Sequence, residues 1–326
     1  MIAARPSAAF LAAALAAAAP APTAAQVPAA PAAPAPAAPA AGQRQPDMAF
    51  GAYQRGYYLT AFADATKLAE EKQDPQAMTL LGELYANGQG VGRDDNKAAH
   101  WFKLAADRGD RDAMFALAMF AFEGRGGPRN ADQGAKLLDE AAKLGHGAAA
   151  YDLGLLYMQG QQFPQDLKRA AELFRQAAQA GNAEAEYALA TMYKEGRGVP
   201  KNIPEAVKLM GRASLAGKLE AMVEYAIAQF NGEGTPKNEA AAAQLMLIAA
   251  RRGSPIAQNR MAHILSSGRG MTADPTEAVK WHLIAKAGGN GDPDLDVYAA
   301  KQPQGVRDAA EKKAKLWLAT AAPSRS

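Results

Sequence analysis

The sequence predicts an all-α protein, a solenoid of antiparallel helix pairs, and three observations carry that prediction. Glycine recurs every 36 residues at Gly88, Gly124, Gly160, Gly196, Gly232 and Gly268, and again at Gly109, Gly145, Gly181, Gly217, Gly253 and Gly289. Alanine keeps the same step at Ala77, Ala113, Ala149, Ala185, Ala221 and Ala257. Between the two glycine series, Asp or Asn holds one position throughout: Asp94, Asn130, Asp166, Asn202, Asn238 and Asp274. A period of about 20 to 50 residues marks a supersecondary unit that cannot bury its apolar face alone and therefore stacks on copies of itself.

Along the chain, Arg5 precedes an apolar run from Ala8 to Ala19, and the small residues Thr23 and Ala25 supply a cleavage site, so residues 1–25 read as a secretory signal peptide. The run is shorter than the roughly 20 residues a membrane span needs. No span is expected after cleavage, and an uncleaved anchor is the alternative. Residues 26–46 are nearly all Ala and Pro, a composition that cannot bury a core and is expected to form a disordered tether. The chain has no cysteine, which excludes disulfides and the acylated cysteine of a bacterial lipoprotein. The expected location is the periplasm, with secretion as second choice.

Residues 47–73 carry Met48, Phe50 and Tyr53, then Tyr58, Ala61, Phe62, Ala65, Leu68 and Ala69. This spacing predicts a helix pair without the long glycine turn, covering the open end of the first repeat. Six repeats follow over residues 74–289. In each, helix A has apolar positions at the column alanine, four residues on (Leu81, Leu117, Leu153, Leu189, Tyr225, Met261) and five residues on, one face of an amphipathic helix. The glycine eleven residues after the alanine stops it, because glycine takes the left-handed conformation without steric cost. The Asp/Asn column then caps helix B, worth about 1 kcal/mol per cap. Helix B bears Ala98, Trp101, Ala105 and Ala106 in the first repeat, with Gly109 and its equivalents expected to end it. Residues 290–326 predict two capping helices and a tail: Asp292 to Ala300, and Gln304 to Ala319 with Val306, Ala309, Ala310, Leu316 and Trp317 as its apolar positions.

Ala77, Leu81, Gly82, Tyr85, Gly88, Gly90, Val91, Asp94, Ala98, Trp101, Ala105, Ala106 and Gly109 together resemble the Sel-one-like repeat, a relative of the tetratricopeptide repeat. The resemblance covers residues 74–289. It departs from the motif at Gln162, where a second glycine is usual, at Ala121 and Gln229 for tyrosine, and at Gly134 for alanine. A glycine at Gln162 is therefore expected to be neutral or mildly stabilising. The resemblance implies a right-handed superhelix and, for function, an adaptor or regulator that binds other proteins.

Composition narrows the alternatives. A net charge of +3 over 326 residues, with basic residues scattered, lacks the electrostatic footprint of a nucleic-acid binder. The four histidines are scattered along the chain without helical i, i+4 partners, so no metal site is expected, and no cofactor. Gly88, Gly90 and Gly92 begin like a phosphate loop, but Arg93 stands where the fingerprint needs glycine. Asp94 belongs to the capping column, and Asp95 is read as having no repeating counterpart. Neither Ser214 nor Ser266 has a base and orienting group around it in sequence. The expected protein is not an enzyme. Its partner is expected on the concave face lined by helix A, at Phe115, Met119, Phe122, Tyr151, Leu155, Met158 and Tyr187, where apolar residues have polar neighbours. Packing between adjacent A helices is the competing reading of those residues. An envelope hydrolase, or a receptor for a small molecule or cell-wall ligand, is the competing reading of the function.

Overall fold

A computed structural model describes residues 48–321, and within them sixteen α-helices and no strand. The expected signal peptide and Ala/Pro tether lie outside the described residues. The N-terminal pair is α1 (Met48–Gln54) and α2 (Tyr58–Lys72). Six A/B pairs follow: α3 (Pro75–Asn87) with α4 (Asp95–Ala106), α5 (Arg111–Glu123) with α6 (Ala131–Lys143), α7 (Gly147–Gln159) with α8 (Leu167–Gln179), α9 (Ala183–Glu195) with α10 (Ile203–Leu215), α11 (Leu219–Asn231) with α12 (Glu239–Arg251), and α13 (Pro255–Ser267) with α14 (Pro275–Ala287). The chain closes with α15 (Pro293–Ala300) and α16 (Gln304–Ala321).

Local chemistry sets these boundaries. Gly196 ends α9 at φ 75°, and its N–H donates to the Met192 carbonyl at 2.8 Å, satisfying one of the free carbonyls of the last turn. All six Asp/Asn side chains accept from first-turn amides of helix B at 2.9 to 3.1 Å. A second capping column, one residue before each helix A, escaped the sequence reading. Asp74, Asp110, His146, Asn182 and Ser254 each accept from a first-turn amide there, while Lys218 does not.

The expectation that Gly109 and its equivalents end helix B needs correction. In α4 the helix ends at Ala106, and Asp107 is still right-handed at φ −60°. Gly109, at φ 84°, instead reverses the chain, so that the Asp110 N–H reaches the Ala105 carbonyl at 3.1 Å. The second glycine of the A-to-B turn has a steric reason. At Gly198, also left-handed, a Cβ would come within 2.2 Å of the Leu167 carbonyl oxygen in the preceding repeat. Gln162 occupies that column in the third repeat without a positive φ. A glycine there relieves nothing and loosens the unfolded chain, so the change costs stability instead of being neutral or mildly stabilising.

The chain divides between Leu137 and Leu138 into two compact units. In the first, the core gathers Leu81, Leu84, Phe102 and Phe120, with the last two rings edge-on at 5.4 Å between centroids. In the second it runs through Phe174, Met210, Met246, Met261 and Ile284. Alanine permits this close packing. Both alanine columns are at most 2% exposed, from Ala77 to Ala257 in helix A and from Ala105 to Ala285 in helix B. Glycine appears in helix A where a phenylalanine ring of helix B lies over it. A Cβ at Gly82 would sit 2.5 Å from the Phe102 ring, and one at Gly154 would sit 2.7 Å from Phe174. Where the same helix B position holds Met210 or Met246, Ala190 and Ala226 take the glycine's place.

At the C-terminal end α16 packs on α14, with Trp317 edge-on to Trp281 at 6.1 Å. Its buried face is Ala310 and Ala314, with Trp317 partly buried. Ala309 is exposed and Leu316 is 68% exposed, so these two of the expected apolar positions lie off the core face.

Candidate partner-binding site

The expected partner-binding residues fall in both units. In the first, Met119 is buried at 5% exposure and Phe115 is half-buried. Phe122, also half-buried, lies over Gly134 of α6, where a Cβ would come within 2.8 Å of its ring. The departure from alanine at Gly134 thus makes room for Phe122. Glu83 shares helix A chemistry with these residues. Burial, followed by the charges of Asp112 and Asp110, pushes its carboxyl up to about 7.

In the second unit, Tyr151, Leu155 and Met158 form one face of α7 at helical spacing, and all three are half-buried. Tyr151 rests against Phe174, with centroids 5.6 Å apart. Beside it, burial raises the Asp152 carboxyl to about 6. Tyr187 on α9 donates its hydroxyl to Glu224 Oε1 at 2.9 Å, and Lys218 Nζ lies 5.8 Å from its ring centroid. Burial and that carboxylate both hold the phenol well above its usual range. Tyr151 and Tyr187 therefore have internal partners, whereas Leu155 and Met158 keep apolar surface at the water boundary.

Two equivalent crevices lie further along the same helix A face. Between α9 and α11, Lys194 Nζ meets Glu224 Oε2 at 2.6 Å, and the space left is about 80 Å³. One repeat on, between α11 and α13, Phe230 and Arg260 take those two positions, and a cleft of about 440 Å³ opens.

Each histidine has a structural role or partner. His146 Nδ1 accepts from the Ala149 amide at 3.0 Å as the cap of α7. His263 and His282 meet Asp292 and Asp296, both at 2.8 Å, and His100 lies edge-on to Trp101. The hydrogen bond from His263 is the main reason the Asp292 carboxyl falls to about 2. Among the described residues no group of three or more His, Cys, Asp or Glu side chains could hold a metal ion. Asp95 proves to have a repeating counterpart after all. Arg125 reaches back one repeat to Asp95 at 2.7 Å, and Arg269 reaches back to Glu239, four repeats on from Asp95, at 2.5 Å. Asp95 is an inter-repeat latch, with its carboxyl held near about 2 chiefly by the Arg125 hydrogen bond. No helix among the described residues is long and apolar enough to cross a membrane.

Stacked helix pairs with half-buried apolar side chains along helix A define a helical-repeat protein. The Sel1 repeat model matches residues 75–110, 111–146, 147–182, 183–218, 219–254 and 255–290, and the chain belongs to the Sel1 repeat family. Proteins of this family are generally interaction scaffolds without catalytic activity. The fold is similar to a Sel1 repeat protein from Oxalobacter formigenes, with a TM-score of 0.59 and 25% identity over 74% of this chain and 97% of that one. It is also similar to c5321, a protective antigen of uropathogenic Escherichia coli with an SLR fold, with a TM-score of 0.56 and 24% identity over 85% of this chain and 68% of that one. No curated protein matches.

Proposed function

We propose that the protein is a non-enzymatic, exported adaptor or regulator that holds a protein or peptide partner against its helix A faces, in the periplasm, in cell-envelope signalling or organisation. The observation that carries the reading is the row Tyr151, Leu155 and Met158, which keeps large apolar side chains only half-buried on a helix whose core face is already filled by Ala149 and Leu153. Export rests on the composition of residues 1–25.

Leu155 and Met158 are the useful probes, since Tyr151 and Tyr187 also serve internal contacts. In a crosslinking pull-down from periplasm, the parent should recover one defined protein. Leu155→Ala/Met158→Ala should lose it with little change in melting temperature. A parent that recovers no protein but gains melting temperature with a small molecule or cell-wall fragment would favour a receptor or hydrolase.

A further inference from the structure

We infer that the cleft between α11 and α13 is a subsite for an acidic peptide segment, seating a bulky apolar side chain on its floor and an adjacent carboxylate against Arg260. The inference deepens the adaptor reading and rests on it. Its starting point is a substitution between equivalent positions of adjacent repeats. Between α9 and α11, Lys194 and Glu224 form an ion pair, joined by the Tyr187 hydroxyl, that fills the crevice. The residues 36 positions later are Phe230, Arg260 and Val223. An aromatic ring and a guanidinium across the gap form no such bridge. Val223 turns into the core at 5% exposure and has no hydroxyl to offer. The crevice accordingly widens from about 80 to about 440 Å³.

The chemistry of the walls selects the occupant. Ile227, Phe230, Met246 and Ile264 supply apolar surface, and the ionisable residues of the lining are Arg260, His263 and Arg269, with no carboxylate among them. Two of those three are already engaged. Arg269 is paired with Glu239 and lies 4.6 Å from the Phe230 ring centroid, which fixes that ring as a wall. His263 is paired with Asp292. Arg260 is exposed and makes no hydrogen bond or ion pair among the described residues. A cation without a partner at the rim of an apolar cleft complements an anion carried next to an apolar anchor, and guanidinium binds carboxylate in a two-pronged fork. A peptide carboxylate comes from an acidic side chain or from a C-terminus, and both satisfy the same fork.

The test uses the full chain on an array of octapeptides that combine one central Leu, Phe or Met with flanking Glu, Gln or Lys, each with a free and an amidated C-terminus. The parent should bind the Glu-flanked or free-terminus peptides at least tenfold more strongly than the Lys-flanked amides. Loss on amidation assigns the carboxylate to the terminus, and survival assigns it to a side chain. Arg260→Glu should shift the preference toward Lys flanks. Phe230→Lys/Arg260→Glu transplants the pair already present at Lys194 and Glu224. It should close the cleft and abolish array binding while the helical spectrum and melting temperature stay near the parent's. Preference for acidic peptides that persists in the double variant, or binding indifferent to flanking charge, overturns the inference. So does an array on which the parent binds nothing, and that result leaves the adaptor reading to the Leu155 and Met158 test.

Discussion

Glu83 carries the clearest consequence at the scale of single residues. Burial and two neighbouring carboxylates raise its carboxyl from 4.5 to about 7, so folding favours the protonated form. Its contribution is fully present below its unfolded value and is lost as pH rises through about 7. Glu83→Gln should therefore melt higher than the parent at pH 8 by up to about 3 kcal/mol of stability, with the difference vanishing near pH 4.5. Thermal melts from pH 4.5 to 8 check the sign. A difference that grows toward acid contradicts the burial of this carboxyl. Gly154 makes a second prediction. A methyl group there meets the Phe174 ring at 2.7 Å, so Gly154→Ala should cost about 1 to 3 kcal/mol in a denaturant melt, and Gly154→Ala/Phe174→Met should recover part of it by matching the Ala190 and Met210 combination.

At the scale of the element, the helix boundaries were legible wherever the cause was one residue type in one column. The left-handed glycines and the Asp/Asn caps of helix B meet that condition, and both act as expected. The caps of helix A do not. Asp74, Asp110, His146, Asn182 and Ser254 share an acceptor atom rather than an identity, so the column has no visible pattern. Residues past the last helical turn misled in another way, because Gly109 and its equivalents mark a chain reversal, and a left-handed glycine looks the same in sequence at either place. Gln162 shows the limit of reading a consensus. Five repeats have glycine there, yet the third turn takes a backbone that glutamine tolerates. Gln162→Gly should cost about 0.5 to 1 kcal/mol. Leu189→Ala, which empties a position only 2% exposed, should cost about 2 to 5 kcal/mol. Equal costs in parallel urea melts would contradict the register.

For the whole molecule, periodicity reveals the fold because every repeat solves the same packing problem with the same residues, whereas binding depends on where repeats differ. The face of helix A was legible, since its columns are apolar with polar neighbours. Which of its residues remain available was not. Met119 is core, Phe122 lies over Gly134 and Tyr151 rests on the Phe174 ring, helix B contacts that sequence spacing does not reveal. The cleft at Phe230 and Arg260 escaped for a related reason. It is defined by the loss of an ion pair that exists one repeat earlier, and neither residue is unusual by itself.

The central claim is that the A helices hold a partner on their half-buried apolar faces and the B helices serve as scaffold. Site-specific photocrosslinking in the full-length protein tests it most directly, with p-benzoylphenylalanine replacing Leu155 on α7 in one variant and the exposed Glu172 on α8 in the other. The account predicts a discrete adduct with one partner protein from position 155 and none from position 172. Adducts of equal yield from both positions, or from position 172 alone, would contradict it.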